Sequence, residues 1–266
     1  MSAIAQFLHR KNFIVQGCDI KKNDRILRLI KLGLNINIMA KKYDMLYCDL
    51  VVHSSAINKK NIRLTFSIKN KKKSISRSTL ISEIVKNFYN ICITGSHGKT
   101  SVTSMIYNVI KEMKILPTTI CGGIIKTIRN NYYNGKSKIN IIESDESDGT
   151  FIFLPSNYQI INNNDIEHLD YFKNNKNLKN IFGYYIQRIT KNCLTLICNN
   201  CINLNKNNKV TKIYKRCFSY SIKFKKCDFY ASMIRKERNK INVYIIKSIK
   251  TQRILSIKKK NNRCKK

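Results

Sequence analysis

The chain has 266 residues, and its 43% hydrophobic content is enough to build the core of one large domain or two ordinary ones. No apolar run approaches the ~18 residues that cross a membrane, and the first residues lack the basic start and apolar run of a secretory signal, so we expect a cytoplasmic protein that does not bind a membrane. The 51 Lys and Arg against 15 Asp and Glu give a formal net charge of +36, which is the charge expected of a surface that binds phosphate or nucleic acid.

The first part of the chain alternates helical and strand patterns. Apolar residues at helical spacing predict helices over residues 2–10, 24–32 and 78–88, and Gly33 ends the second of them. Shorter apolar runs predict strands over residues 35–39 and 46–52, and the run at residues 13–15 predicts a strand that ends at Gly17. The basic run 69–73 predicts a solvated loop. Strands that alternate with helices are typical of an α/β fold with a parallel sheet.

A second segment begins after a predicted domain boundary near residues 87–90. The sequence predicts a strand over residues 91–93, then a glycine-rich turn and a helix over residues 100–114. Later apolar runs predict further strands over residues 139–142, 159–161, 193–198 and 241–246. The last residues, 258–266, have the composition of a disordered basic tail.

The most informative stretch is Thr-Gly-Ser-His-Gly-Lys-Thr at residues 94–100. It follows a predicted strand and precedes a predicted helix, which is the context of a phosphate-binding loop. Backbone N–H groups at a helix N-terminus bind phosphate, and a lysine followed by a hydroxyl residue contacts the β- and γ-phosphates and Mg²⁺. We therefore predict that ATP binds Gly95, Ser96, His97, Gly98, Lys99, Thr100 and Ser101. The alternative is a chance Gly-Lys-Thr turn, and the spacing is two residues shorter than a Walker A motif.

Two further groups of polar residues follow predicted strands. Glu143 opens the acid-rich turn Glu-Ser-Asp-Glu-Ser-Asp-Gly, and His168 lies in the segment Asn-Asn-Asn-Asp-Ile-Glu-His-Leu-Asp at residues 162–170. Acids at the end of a strand beside a phosphate-binding loop are placed to bind a metal. Taken singly, each group could instead be a solvated turn or a surface histidine.

These motifs resemble those of the Mur ligase family. Residues 95–100, GSHGKT, are similar to the family's GTHGKT, and residues 143–148, ESDESD, to its EADESD. Residues 162–170, NNNDIEHLD, resemble TNIEADHxD, with two acids exchanged. His97 resembles the histidine of the alanine-adding branch and of its close relative, the peptide-recycling ligase.

The N-terminal segment carries the resemblance as well. Residues 1–5, MSAIA, resemble the end of the family's GxGGxGMSxIA, and residues 51–57, VVHSSAI, resemble VVxSSAI. Residues 16–19, QGCD, resemble SGSD, and Arg77 with Leu80 resembles the RxxxL that enters the central domain. The resemblance implies a partial, Rossmann-like UDP-sugar-binding domain at residues 1–87. It also implies a P-loop α/β ATP-binding domain at residues 88–257, followed by the tail 258–266.

The resemblance also implies a reaction. Mur ligases of this branch use ATP to convert the carboxylate of UDP-N-acetylmuramate to an acyl phosphate, which the amine of L-alanine then attacks, in peptidoglycan precursor synthesis. Carried over by position, the catalytic residues are Lys99, Glu143 and His168, and the Mg²⁺ ligands are Thr100, Glu143 and His168.

Departures from the family pattern leave alternatives open. The GxGG part of the nucleotide-sugar loop is not found, and no segment resembles the family's PGxHNxxN, so we expect the C-terminal ligase domain to be absent. One alternative is therefore an eroded or split ligase that binds ATP without complete turnover, or that needs a separate chain to supply this domain.

A basic nucleic-acid-binding protein is a weaker alternative. Only 12 of the 51 basic residues are Arg, although Arg reads bases and phosphates better than Lys, and no nucleic-acid-binding motif is found. The excess of Lys, Asn, Ile and Tyr fits a genome rich in A and T, so we expect no specific nucleic-acid partner. The single C-x-x-C, Cys198 with Cys201, lacks the second pair that a zinc ribbon needs.

Overall fold

The computed structural model of the chain describes residues 1–38, 46–58, 60–145, 150–163, 185, 193–198, 216–222, 227–237, 240–247 and 255–258. The chain divides into two compact units. One comprises Met1–Ile93 and Gly98–Ser156, and the other comprises Thr94–His97 and Asn157–Lys266.

The first unit opens with four helices that alternate with short strands. In chain order these elements are α1 (Ser2–Arg10), β1 (Gln16–Asp19), α2 (Asp24–Lys31), β2 (Asn35–Ile38), β3 (Leu50–His53), α3 (Ile62–Lys69), β4 (Lys73–Ser76) and α4 (Arg77–Val85). Strand β1 pairs with β2 and strand β3 pairs with β4, in both cases in parallel. Side chains cap three of the helices, because Asn23, Asn61 and Ser76 accept hydrogen bonds from backbone N–H groups of the first turn.

The remainder of the first unit is a mixed sheet with its connecting helices. Its elements are β5 (Tyr89–Thr94), α5 (Lys99–Glu112), β6 (Thr118–Ile125), β7 (Asn130–Tyr133), β8 (Ile139–Glu143) and α6 (Thr150–Phe153). Strand β8 lies between β5 and β6 and runs parallel to both, and β7 is antiparallel to β6. The carboxyl ends of β5, β6 and β8 therefore meet at one edge of the sheet.

Apolar side chains cover both faces of this sheet. Ile141 of β8 packs in a cluster with Tyr107 of α5. The next residue, Ile142, points to the other face and packs in a cluster with Ile4 of α1 and Ile81 of α4. Burial on both faces explains why parallel strands such as β8 have nearly continuous apolar sequences.

The second unit contains six strands among its described residues. They are β9 (Tyr158–Ile161), β10 (Leu194–Cys198), β11 (Cys217–Ser221), β12 (Phe229–Glu237), β13 (Lys240–Lys247) and β14 (Leu255–Lys258). Strands β9 to β12 are neighbours in chain order and run parallel, whereas β12, β13 and β14 form an antiparallel meander.

The α/β class predicted from the sequence is confirmed, and so is the position of most elements. Helices α1 and α2 have the predicted bounds to within one residue, and Gly33, with φ of 86°, follows α2. The helix predicted over residues 78–88 is α4, which ends earlier, at Val85. None of the described helices combines the length and hydrophobicity that a membrane crossing requires.

Three predictions for the first unit were wrong in detail. Residues 13–15 are not a strand, because Ile14 is fully exposed and the pairing with β2 begins at Gln16. Residues 46–49 precede strand β3, whose pairing with β4 runs from Leu50 to His53. The predicted loop 69–73 is only a short turn, since α3 ends at Lys69 and β4 begins at Lys73.

Several predictions lie outside the described residues. The tail beyond Lys258 is among them. The division of the chain into domains at residues 87 and 88 stays a prediction.

Candidate active site

The predicted phosphate-binding loop has the predicted context. Strand β5 ends at Thr94 and helix α5 begins at Lys99. Gly95 has φ of 147° and Gly98, the N-cap residue, has φ of 74°. Both values lie in the region of positive φ that favours glycine, which explains why glycine occupies these two positions. The N–H groups of the first turn of α5 are the donors that such a helix offers to an anion.

In the first unit, helix α5 and strand β8 bring two predicted ligands together. The Thr100 hydroxyl donates to the Glu143 carboxylate, with Oγ1 lying 3.1 Å from Oε1 and 3.0 Å from Oε2. Glu143 is the last residue of β8. The next residue, Ser144, donates its N–H to the Ile93 carbonyl at 2.9 Å, which fixes the end of β8 beside β5.

Strand β6 supplies two more donors to the same carboxylate. The Cys121 thiol lies 2.7 Å from Glu143 Oε2, and the Gly122 N–H donates to this oxygen at 3.0 Å. Burial, and secondly the charge of Glu143, raise the pKa of the Cys121 thiol. The thiol therefore keeps its proton at neutral pH and acts as the donor to Glu143.

Two glycines let β6 approach the site closely. A Cβ atom on Gly123 would lie 2.7 Å from Thr100 Cγ2 and 2.8 Å from Oγ1, and one on Gly122 would lie 3.1 Å from Glu143 Oε1. Sequence reasoning missed Cys121, Gly122 and Gly123. The available signal was the glycine pair inside an otherwise apolar run, since glycine inside a strand often marks a close approach.

In the second unit, two asparagines at the end of β9 hold the backbone of His97. Asn163 Oδ1 accepts from the His97 N–H at 2.8 Å, and the side-chain amides of Asn162 and Asn163 donate to the His97 carbonyl at 2.7 and 3.0 Å. Gly95 lies against the same residues, because a Cβ atom there would be 3.0 Å from Asn162 Cβ. His97 itself is exposed.

Three further contacts support this arrangement. Asn162 donates its N–H to the Thr94 carbonyl at 2.9 Å, and the buried Gln159 donates its side-chain amide to Thr94 Oγ1 at 2.7 Å. Tyr220 of β11 donates its hydroxyl to Asn162 Oδ1 at 3.2 Å. Strands β9 and β11 therefore support the part of the loop that runs from Thr94 to His97.

The other predicted site residues are placed as follows. Lys99 is the first residue of α5 and is half-buried, and Ser101 is exposed on the same helix. In the acid-rich turn, Asp145 forms an ion pair with Arg77 at 3.6 Å, so this carboxylate is engaged with α4. His168, with the acids at positions 165 and 167, lies outside the described residues.

The Thr100 hydroxyl and the Glu143 carboxylate are suitable ligands for Mg²⁺. Hydroxyl and carboxylate oxygens are the ligands that this cation prefers, and in nucleotide sites it keeps waters and phosphate oxygens as further ligands. Among the described residues no group of three or more His, Cys, Asp and Glu could hold a metal ion. Thr100 and Glu143 would leave the other positions around a magnesium ion to waters, to phosphate oxygens and to any further protein ligand.

Comparison with known proteins identifies the family of this chain. Residues 93–260 match the Mur ligase middle domain, and residues 1–89 match the catalytic domain of the Mur ligase family. The chain belongs to the Mur ligase family. Mur ligases are ATP-dependent enzymes, so the family agrees with the loop geometry described above.

The relatives include alanine-adding Mur ligases. The UDP-N-acetylmuramate–L-alanine ligase of Pelagibacter ubique is 36% identical over 241 residues, which are 90% of this chain and 51% of the relative. That of Wolbachia sp. subsp. Brugia malayi is 39% identical over 186 residues, which are 70% of this chain and 35% of the relative. The chain thus spans about half or less of the length of these curated relatives.

A solved structure shows the same fold. The crystal structure of the UDP-N-acetylmuramate–alanine ligase from Thermotoga maritima superposes with a TM-score of 0.81 and 24% identity. The match covers 97% of this chain and 57% of that one.

Proposed function

We propose that this chain is the nucleotide-binding part of a cytoplasmic ligase that joins L-alanine to UDP-N-acetylmuramate in peptidoglycan precursor synthesis. The muramate carboxylate attacks the γ-phosphorus of ATP, which gives an acyl phosphate and ADP. The amine of L-alanine then attacks the acyl carbon. An amide forms, phosphate leaves, and the amine loses a proton.

The observation that carries this proposal is the contact between Thr100 and Glu143. It joins the last residue of the phosphate-binding loop to the carboxylate at the end of β8. In open α/β sheets, ligands bind outside the carboxyl ends of the strands. The activity of the curated relatives, which are UDP-N-acetylmuramate–L-alanine ligases, supports L-alanine as the amine and UDP-N-acetylmuramate as the acid.

Each residue of the site then has a role. The N–H groups at the start of α5 would bind the phosphates, and the Lys99 ammonium would neutralise the phosphoryl group in transfer. Mg²⁺, when bound, supplies charge neutralisation on the phosphate oxygens. Thr100 and Glu143 would hold it, and His168 is proposed from its motif as a further ligand. Catalysis of this kind is mainly positioning and electrostatic stabilisation.

The proposal is tested by measuring the amide product. The chain is incubated with MgATP, UDP-N-acetylmuramate and L-alanine, and the product is detected by mass spectrometry while phosphate release is recorded. The same assay is run with the L-alanyl peptide in place of L-alanine, which separates the alanine-adding activity from the peptide-recycling one. We expect L-alanine to be the accepted amine, and product formation to be lost in Lys99→Ala and Glu143→Ala.

The split-ligase alternative has its own assay arm. The relatives are about twice as long as the matched region, so the chain is assayed alone and with the remaining segment of the Pelagibacter ubique relative added as a separate protein. If the amide product forms only when the added segment is present, the chain needs a separate partner protein. MgATP binding without product in either case identifies a nucleotide-binding fragment and contradicts the ligase proposal.

A further inference from the structure

The two oxygens of the Glu143 carboxylate have different environments. Oε2 accepts from the Thr100 hydroxyl, the Cys121 thiol and the Gly122 N–H. The Thr100 hydroxyl has one proton, which the two oxygens share, and among the described residues Oε1 has no other donor. A carboxylate oxygen has two lone pairs, so Oε2 is fully occupied while Oε1 keeps the capacity to bind a cation.

We propose that Cys121 is a positioning residue, whose thiol fixes Oε2 of Glu143 so that Oε1 faces the bound cation. The inference rests on the proposed function, because the cation is the Mg²⁺ of the nucleotide site. Mutation of a group that orients a metal ligand through a hydrogen bond typically lowers metal affinity or activity by about 10- to 100-fold.

The surroundings of Cys121 explain why the sulfur atom meets this carboxylate. Cys121 is 3% exposed and belongs to the apolar cluster that contains Ile93, Tyr107, Ile125 and Ile141. At its polar end the sulfur atom also meets the Thr100 hydroxyl and the Gly123 backbone, and the thiol proton is directed to the charged acceptor at 2.7 Å. The next residue, Gly122, donates from the backbone to the same oxygen. Strand β6 thus holds Oε2 from two consecutive residues.

The experiment measures binding of Mn²⁺, used as a paramagnetic substitute for Mg²⁺, in the presence of a non-hydrolysable ATP analogue. Free and bound Mn²⁺ are separated by electron paramagnetic resonance for the wild type, Cys121→Ala, Cys121→Val and Cys121→Ser. Valine fills the site without a donor, and serine restores one. The matched control is Cys92→Ala, which removes a buried thiol of β5 from the other apolar cluster.

We expect Cys121→Ala and Cys121→Val to weaken Mn²⁺ binding about tenfold. Cys121→Ser and Cys92→Ala should stay near the wild type, because each keeps a donor at position 121. Wild-type affinity in Cys121→Val, or equal weakening in Cys121→Ser and Cys121→Val, would overturn the positioning role. Glu143→Ala is measured in parallel. If it leaves Mn²⁺ binding unchanged, the cation site itself fails, and that result is distinct from a failure at Cys121 alone.

Discussion

The hydroxyl of Thr100 and the carboxylate of Glu143 are hydrogen-bonded although 43 residues separate them along the chain. Thr100 lies in the first turn of α5, and Glu143 ends the buried strand β8. This contact brings the start of α5 and the proposed metal-binding carboxylate to one place in the first unit. A bound magnesium nucleotide would need such an arrangement.

Gly123 should tolerate no side chain. In Gly123→Ala the new Cβ atom would lie 2.7 Å from Thr100 Cγ2, and the short, branched threonine side chain cannot move away without leaving Glu143. We expect lower stability, by about 1–3 kcal/mol, and weaker Mn²⁺ binding with the ATP analogue. Both are measured, the first by chemical denaturation.

The matched control for this variant is Gly17→Ala. Gly17 also lies in a strand, but a Cβ atom added there would lie nearest to Ile36 Cδ1, at 3.1 Å. That atom is the end of a flexible side chain, which can move away. Unchanged Mn²⁺ binding in Gly123→Ala would show that the close approach of β6 does not determine the position of Thr100.

Asn163 should order the loop through the His97 backbone. In Asn163→Ala the His97 N–H loses its acceptor, a loss of about 1 kcal/mol. We expect amide hydrogen exchange at His97 to be about fivefold faster and nucleotide affinity to fall. Exchange is measured by mass spectrometry on peptides that contain His97.

Asn58→Ala is the control for the loop variant, because Asn58 accepts from the Lys60 N–H at 2.8 Å in another loop. It should speed exchange at Lys60 alone. Equal exchange at His97 in wild type and Asn163→Ala would mean that the asparagine does not hold the loop.

Tyr132 should contribute to stability in a pH-dependent way. Burial raises its pKa from 10.0 to about 12, against the opposing effect of Arg10. Between these values the folded state binds more protons than the unfolded state, so the free energy of unfolding falls as pH rises, by up to about 1.4 kcal/mol per pH unit. The contribution is complete below pH ~10 and is lost as pH passes ~12.

The measurement compares denaturant unfolding of wild type and Tyr132→Phe across this range. The decline with pH should be shallower in Tyr132→Phe than in the wild type. Tyr89→Phe removes a phenol that is 59% exposed and should leave the wild-type slope. Parallel curves for wild type and Tyr132→Phe would contradict the prediction.

The predictions from sequence succeeded where a local sequence pattern is enough to predict a helix or a strand. Strands β5, β8 and β9 were found because parallel strands buried on both faces have short, nearly continuous apolar sequences. Thr100 and Glu143 were predicted as site residues because each belongs to a short motif beside such a strand, and the contact between their side chains agrees with the rule that parallel strands place their carboxyl ends at one edge. Their roles, and that of Lys99, stay predictions.

The predictions failed where contacts between distant segments determine which residues form a strand or reach the site. Phe13 and Ile14 have strand-like side chains but are 60% and 103% exposed, while the polar segment Gln16–Asp19 pairs with β2 instead. Strand β6 was not predicted, although the glycine pair inside its apolar run was an available signal. The contacts of Cys121, Gly122, Asn162 and Asn163 with the site depend on side chains and backbone from distant segments, which no local pattern contains.

The central claim is that residues 95–101 bind MgATP specifically, and a nucleotide titration of matched lysine variants tests it most directly. Binding is measured by calorimetry at about 0.15 M salt, where attraction between exposed charges is largely screened. Lys99→Ala removes a charge at the start of α5, and Lys111→Ala removes the same charge from an exposed residue in its last turn. We predict that Lys99→Ala weakens MgATP binding roughly 10- to 100-fold, the loss expected for a hydrogen bond to a charged group, while Lys111→Ala matches the wild type. Equal affinity in wild type, Lys99→Ala and Lys111→Ala would contradict the claim and leave only charge-driven binding to a basic surface.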